Sequence, residues 1–265
     1  MRYVIDHDYH IHSCLSSCSD DPEQNTGTIL EYAKENSLKK ICVTDHFWDE
    51  NVDCKSAWYR VQNFSHISEN LPLPKADGIE FLFGAETEFD KEYTLGISKK
   101  RFNELDFVIV PTTHLHMKGF TISEEDCETA QGRANIWIKK FETLLNMDLP
   151  FSKIGIAHLA CVNIAPERAM YLDVLNLLPE KKLADLFGTV QRLGAGIEIN
   201  SSDMNFKDEE ADTVLRIFRI AKKMGCKFYL GSDAHHPDRL YASKAIFERA
   251  IDLLELAESD KFHIT

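Results

Sequence analysis

The sequence lacks the features that mark exported or membrane-spanning proteins. Its seven cysteines are an odd number at irregular spacings without a Cys-x-x-Cys pair, which excludes a regular disulfide framework and predicts reduced thiols. No apolar run approaches the length of a membrane span, and the first residues contain no apolar core of a signal peptide. We therefore expect a cytoplasmic protein that acts without a membrane.

Positive charge is scarce as well. Thirty lysines and arginines stand against 43 aspartates and glutamates, which gives a net charge of −13. We do not expect nucleic acid as the main substrate, because binding its phosphate backbone requires a basic surface. A small phosphorylated metabolite is compatible with the charge, since bound metal cations can reverse the local sign. The sequence leaves the oligomeric state open.

Short apolar runs alternate with amphipathic stretches along the whole chain, and no repeat or linker divides it, so we expect one domain over residues 1–265. The seven runs have the length of buried strands and cover residues 3–5, 40–44, 80–84, 107–110, 154–157, 196–199 and 227–230. Among the helices, one is expected between Pro179 and Gly194, one begins near Ser123, and the last covers residues 243–258. The alternation predicts a parallel sheet with helices outside, either closed as a barrel or open.

Residue types that bind metals gather near the ends of these runs. They are His10, His12, Asp45, His46, Glu86, Glu88, His114, His116, His158, Glu198, Asn200, Asp233 and His235. In a parallel barrel the carboxyl ends of the strands ring one face, which carries the active site. An open sheet would spread these side chains along a line, so their number favours the closed barrel.

The spacing of the pairs has a physical reason. Residues i and i+2 of an extended strand end point the same way, so His10 and His12 can reach one metal, as can Asp233 and His235. Imidazole and carboxylate together suit zinc, manganese or iron(II). Two such ions can activate a water and offset charge in an in-line phosphoryl displacement. A lone His-x-His pair is weak evidence, and the prediction depends on seven of the eleven histidines falling at predicted strand ends.

These motifs, taken in order, resemble those of the polymerase and histidinol phosphatase (PHP) superfamily. The matching segments are His10-Ile11-His12, Thr44-Asp45-His46, Gly84-Ala85-Glu86, His114, His158 and Ser232-Asp233-Ala234-His235. The resemblance implies a distorted TIM-like (β/α)7 barrel with a centre of two or three divalent metal ions. Members of the superfamily include histidinol-phosphate phosphatases, other small-molecule phosphoesterases and domains attached to bacterial DNA polymerases.

The resemblance also implies the metal ligands, residue by residue. The implied set is His10, His12, Cys18, His46, Glu86, His114, His158, Asp233 and His235. Cys18 falls at an offset where many relatives have histidine or aspartate, and Asp20 is a nearby alternative. A thiolate there would favour zinc or iron over manganese. His114 is preferred to His116 because it falls closer to the family's position.

The implied activity is that of a metal-dependent phosphoesterase acting on a small phosphate monoester, with histidinol phosphate as the leading named substrate. Asp45, next to His46, is expected either to orient a ligand histidine through its free ring nitrogen or to cap the strand end. His235 or His116 is expected to protonate the leaving group. The candidate phosphate-binding side chains are Lys118, Arg168 and Arg239.

Two other functions remain open at this stage. One is a non-catalytic metal-binding PHP module, although such proteins tend to lose ligands. The other is an amidohydrolase-type barrel hydrolase, which also begins with a His-x-His pair but expects eight strands and a ligand lysine in a middle strand.

Overall fold

The computed structural model describes residues 1–264 of the chain. Seven strands are present: β1 (His7–Ile11), β2 (Lys40–Val43), β3 (Glu80–Glu86), β4 (Phe107–Pro111), β5 (Ile154–Ala157), β6 (Gly196–Asn200) and β7 (Lys227–Gly231). Eight α-helices accompany them: α1 (Thr26–Glu35), α2 (Ala57–Arg60), α3 (Phe64–Ile67), α4 (Ala130–Leu145), α5 (Arg168–Leu177), α6 (Glu180–Leu193), α7 (Ala211–Lys223) and α8 (Pro237–Leu253). Short 3-10 helices cover Ser68–Asn70, Lys99–Asn103, Asp126–Glu128, Phe151–Lys153, Val162–Ile164, Asp208–Glu210 and Glu258–Asp260. Within residues 1–264, no helix is both long and apolar enough to cross a membrane.

The strands form one parallel sheet in the order β1 to β7, so each strand pairs with its neighbour in sequence. This is the arrangement of a β/α barrel, and the predicted distorted seven-stranded barrel is confirmed. The distortion comes partly from the connections. The link from β3 to β4 contains the 3-10 helix Lys99–Asn103 where a regular barrel has an α-helix, and the link from β2 to β3 contains only the one-turn helices α2 and α3 and a 3-10 turn.

The barrel closes where β1 meets β7, and side chains of β1 accept hydrogen bonds that help to close it. Nε2 of His7 accepts a hydrogen bond from the backbone N–H of Leu230 (3.1 Å), and Oδ1 of Asp8 accepts one from Ser232 (2.9 Å). Nearer the carboxyl ends, a backbone bridge joins Ile11 to the segment after β7. Buried polar side chains thus satisfy the strand-edge amides that a regular ladder would otherwise bind.

Side chains alternate between the barrel interior and the outer helices. On β3, Leu82 and Glu86 face the interior with Gly84 between them, while the intervening residues pack under the helices. Large rings such as Phe107 and Tyr229 fill the lower interior. Apolar side chains therefore plug the amino-terminal end of the barrel, and polar side chains are displayed at the carboxyl end.

Three sequence-based boundaries are wrong. The first strand, expected at residues 3–5, is His7–Ile11, because its buried histidines and Asp8 break the apolar pattern that usually reveals a strand. The helix expected from Ser123 begins at Ala130, where the Thr129 side chain accepts from a first-turn amide; Ser123 caps only a preceding 3-10 turn. The last helix, expected at residues 243–258, is Pro237–Leu253, with proline in its first turn.

The close packing of the lower interior predicts a large effect of one methyl group. In Gly155→Ala the new Cβ would lie 2.4 Å from the Tyr229 hydroxyl oxygen and 2.6 Å from Cζ of Phe107. We expect the free energy of unfolding, measured by urea denaturation, to fall by about 1–3 kcal/mol. Gly188→Ala in α6 is the matched control, because its Cβ meets only the Met224 side chain at 3.4 Å and alanine favours the helix. Equal stability of the two variants would contradict this packing.

Candidate metal centre

A single glutamate at the end of β3 lies at the centre of the histidine cluster. Oε2 of Glu86 is 2.9 Å from Nδ1 of His46, 3.4 Å from Nε2 of His12 and 3.6 Å from Nε2 of His10. Its other oxygen, Oε1, is 3.3 Å from Nε2 of His158. Both oxygens are buried, and neither has a hydrogen-bond partner of acceptable geometry. The nitrogens are therefore gathered around the carboxylate without being bonded to it.

The charges of the cluster keep its carboxylates ionised. Burial by itself raises the pKa of Glu86, but the neighbouring imidazoles of His46 and His10 outweigh it and hold the pKa well below its usual value. Asp233 behaves in the same way: burial raises its pKa, and the charges of His10 and His158 lower it further than burial raises it. A buried, ionised and unpartnered carboxylate is costly unless a cation joins it. Imidazole and carboxylate donors in this arrangement fit divalent zinc, manganese or iron.

The structure brings eight of the nine predicted ligands together. His10, His12 and Glu86 form one group whose donor atoms lie within 4.8 Å of one another. Asp233 joins it, with Oδ1 3.2 Å from Nε2 of His12. The other groups that meet the same distance limit are His12–His46–His235, His114–His158–Cys161 and His10–His158–Glu198.

The ninth predicted ligand is placed differently. Cys18 lines the same cavity but belongs to none of these groups. The alternative, Asp20, lies 3.2 Å from Nε2 of His236, outside the cluster. A loop ligand for the third ion therefore remains a prediction that this geometry does not strengthen.

Outer partners fix the orientation of the imidazole rings. Nδ1 of His10 lies 2.6 Å from Oε1 of Glu198, and Nδ1 of His114 lies 3.0 Å from Oε2 of Glu88. Each carboxylate accepts the Nδ1–H, so each ring turns its Nε2 lone pair inward. Glu88 is itself approached by the buried Lys140, whose ammonium lies 3.6 Å from Oε1.

Asp45 supports the orientation of a ligand histidine through a serine hydroxyl. Its carboxylate accepts four hydrogen bonds, from Ser13 (two), Ser16 and Asn70, and none of them comes from the ring of His46. The hydroxyl of Ser16 donates to Asp45, so it accepts from Nδ1 of His12 at 2.8 Å. Asp45 therefore acts on the ring of His12 through Ser16, without a direct hydrogen bond to a ligand imidazole.

A cavity of about 720 Å³ opens over the cluster. Its wall away from the predicted ligands is largely apolar and includes Trp58, Tyr59, Met117 and Val162. Both candidate proton donors, His116 and His235, line it. Among the described residues that line this cavity, none is lysine or arginine.

The three predicted phosphate-binding side chains lie outside the cavity. Nε of Arg168 donates to Glu210 (2.8 Å), and its guanidinium stacks on Tyr171. Arg239 is exposed in the first turn of α8, and Lys118 is exposed beside a neighbouring hollow. Nothing in their placement supports a phosphate contact.

Sequence reasoning counted Glu88 and Glu198 among the metal-binding residue types but gave them no role behind the rings, and it missed Lys140. Glu198 carries a signal, because it alternates with outward-facing Ile197 and Ile199 on a buried strand and so must face the interior. Lys140 carries none, since a lysine within an amphipathic helix ordinarily indicates a solvated face. Only the packing of α4 against the loop after β3 buries it, where Nζ donates to the carbonyl of Phe89.

Neutralising the carboxylate behind His10 should weaken metal binding. Glu198→Gln keeps the shape of the side chain but removes the charge that orients the His10 ring, so we expect metal affinity to fall by about 10–100-fold. Competition with a metal chelator measures the affinity. The exposed Asp252→Asn is the matched control, because its carboxylate pairs only with Arg2 at the surface. Unchanged affinity in Glu198→Gln would contradict the assigned role.

Comparisons with known proteins agree with this geometry. Two proteins named probable phosphatases are similar in sequence: one from Caldicellulosiruptor saccharolyticus is 25% identical over 204 residues, 77% of this chain and 70% of that protein. One from Caldanaerobacter subterraneus subsp. tengcongensis is 28% identical over 261 residues, 96% of this chain and 84% of that protein. A histidinol phosphate phosphatase of Lactococcus lactis, solved with zinc, L-histidinol and phosphate, is similar in fold, with a TM-score of 0.62 and 15% identity over 97% of this chain and 98% of that chain.

The match to a family model confirms the family that the motifs predicted. The model of the PHP domain matches residues 8–202, which is well over half of the chain and includes seven of the nine predicted ligands. The other two, Asp233 and His235, lie beyond the matched region, and the structure places them beside His12. On this match, the chain belongs to the PHP domain family.

Proposed function

We propose that this chain is a metal-dependent phosphatase that hydrolyses a small organic phosphate monoester. The observation that carries the proposal is the unpartnered Glu86 carboxylate, surrounded by imidazole nitrogens beneath an open cavity. The donor set suits two or three divalent ions, and Glu86 would be among the residues that hold them. Such ions supply an activated water and offset the charge of the transferring phosphoryl group.

Two histidines of the chain, His235 and His116, have different roles in the proposed reaction. The ring of His235 stacks on that of His12, with 4.0 Å between ring centroids, which suits a ligand. His116 lies farther out, at the exposed rim of the cavity, where desolvation on its inner side and the neighbouring His114 lower its pKa to about 4. It is therefore neutral at pH 7 and can donate an N–H to a substrate oxygen. A phosphate dianion beside it favours the protonated ring, which can then protonate the leaving oxygen.

The cavity wall restricts the class of substrate. Because no lysine or arginine lines the described part of the wall, the phosphate charge must be met by metal ions and imidazoles. Trp58, Tyr59 and Met117 offer apolar contact to the leaving group. These features favour a small ester with an aromatic or apolar portion over a polyanion, and the net charge of −13 disfavours nucleic acid.

Histidinol phosphate is the first named compound to test. It is small and carries an imidazole ring that can stack on an aromatic wall. The Lactococcus lactis relative of similar fold was solved with L-histidinol and phosphate. The seven free cysteines support a reducing compartment, which for this enzyme would be the cytoplasm.

The two alternatives have less support. Residues 1–264 contain seven strands, and His114 occupies the place where an amidohydrolase pattern expects a ligand lysine. A non-catalytic module would have no need of an open cavity above eight assembled donors, and relatives of that kind tend to lose ligands. The phosphatase therefore accounts for more of the observed site.

Removing a central ligand should abolish both metal binding and turnover. In His10→Ala and Glu86→Ala we expect loss of bound metal and of hydrolysis of a chromogenic phosphomonoester, tested with zinc, manganese and iron(II), in proteins that remain folded by circular dichroism. Asp252→Asn should retain both properties, since the residue is exposed on α8. Full activity in either ligand variant would contradict the proposal.

The aromatic wall should affect substrate binding more than chemistry. Trp58→Ala removes ring contact of about 0.5–1.5 kcal/mol, so KM for an aryl phosphate should rise about 2–10-fold while kcat changes less. Val61→Ala is the control, because Val61 is an exposed apolar residue near Trp58 in sequence that does not line the cavity. An unchanged KM in Trp58→Ala would show that the aromatic wall does not contribute to substrate binding.

A further inference from the structure

One cysteine lies inside the histidine cluster, at a position that the family motifs do not include. Sγ of Cys161 and one ring nitrogen each of His114 and His158 all lie within 4.8 Å of one another. All three side chains are buried, and all three line the cavity above the cluster. Nδ1 of His114 is bound to Glu88, so Nε2 is the nitrogen that this ring leaves free.

The hydrogen bonding of Cys161 differs from that of the other buried cysteines. The thiols of Cys42, Cys54, Cys127 and Cys226 each donate to a backbone carbonyl. Sγ of Cys161 instead accepts a hydrogen bond from the backbone N–H of Asn163 at 3.4 Å. Within the described residues, no carbonyl or carboxylate accepts a proton from this sulfur. The sulfur of Cys161 therefore faces two imidazole nitrogens without donating to the backbone, so it is available to a metal ion, which cysteine binds as the thiolate.

The chain conformation places this sulfur beside His158. His158 adopts a left-handed backbone conformation (φ 60°) at the end of β5, which turns the chain back sharply. The amide of Cys161 then donates to the carbonyl of His158 at 3.2 Å. Two further contacts hold the turn: the amide of Ala160 donates to Asp203, and the hydroxyl of Tyr171 donates to the carbonyl of Ala160. The left-handed turn therefore places Cys161 on the same side of the chain as His158, next to the histidine cluster.

An unpartnered buried oxygen lies beside this group. Oε1 of Glu86 has no hydrogen-bond partner and lies 3.3 Å from Nε2 of His158, but Glu86 is not a member of the group formed by His114, His158 and Cys161. Imidazole nitrogen and cysteine sulfur are donors typical of zinc sites, so these three side chains offer three ligands to one ion.

We propose that Cys161 is a thiolate ligand of a metal ion held by His114 and His158. The inference rests on the metal centre of the proposed function but not on the phosphatase reaction. A soft sulfur donor selects zinc or iron(II) over manganese and magnesium at this position. It also fills a coordination place that would otherwise be open to water, which leaves activation of water to the ions on the His12 side of Glu86.

The test measures sulfur ligation directly. The full-length protein is stripped with a chelator and reloaded with zinc for X-ray absorption at the zinc edge, or with cobalt(II) for visible and near-ultraviolet spectra. Wild type should show a sulfur scatterer at about 2.3 Å and a thiolate-to-cobalt charge-transfer band. Cys161→Ser should lose both signals and bind zinc at least about tenfold more weakly, with a smaller loss for manganese. Cys18→Ser, the matched control in the same cavity, should keep both signals.

The outcomes separate this inference from the proposed function. Metal-loaded, active wild type without a sulfur scatterer overturns the Cys161 assignment and leaves the phosphatase standing. Loss of the signals in Cys18→Ser but not in Cys161→Ser overturns it in favour of the loop cysteine. Failure of wild type to bind any divalent metal overturns both proposals. If Cys161→Ser fails to fold, the spectrum of Cys18→Ser still decides the question, because a sulfur signal retained there leaves Cys161 as the cysteine of the cavity that provides it.

Discussion

An ionised glutamate without a hydrogen-bond partner lies at the centre of this molecule, and much of the surrounding structure depends on it. Glu86 is buried where the strand ends converge, with imidazole nitrogens from three other strand ends or the loops after them facing its two oxygens. Protein groups alone leave this charge uncompensated at the short range of a hydrogen bond. The carboxylates and hydroxyls behind the imidazole rings hold the nitrogen lone pairs pointing inward, although these lone pairs repel one another.

The carboxyl end of the barrel can be polar because the apolar packing is concentrated at the amino-terminal end. Aromatic rings fill the lower interior, glycines at mid-height let those rings approach the strands, and polar residues occupy the top of the same inward-facing rows. Gly231 illustrates the constraint, because a Cβ there would lie 2.1 Å from Oε1 of Glu198, the oxygen that binds His10. The packing of the barrel interior and the geometry of the site therefore constrain neighbouring positions of the same strand.

Much of the architecture and most of the proposed ligand set are predictable from the sequence, because apolar runs ending in histidine or acid are a local signal. What escapes prediction is set by tertiary contacts. β1 is missed at its true position because His7 and Asp8 satisfy the barrel seam with side chains, so the strand does not look apolar. Cys161 is missed because only the left-handed turn at His158 brings it to the cluster. The predicted phosphate contacts of the basic side chains are not supported. In an acidic protein a lysine or arginine readily pairs with a carboxylate, as Arg168 does with Glu210.

Whether Glu86 holds divalent ions can be seen by crystallography of the zinc-loaded protein. Diffraction data collected on both sides of the zinc absorption edge locate the ions independently of any activity. We expect anomalous peaks on both sides of the Glu86 carboxylate, each about 2.0–2.2 Å from one oxygen. An ordered Glu86 that contacts no ion, with zinc absent or bound only elsewhere, would show that this carboxylate has no role in metal binding.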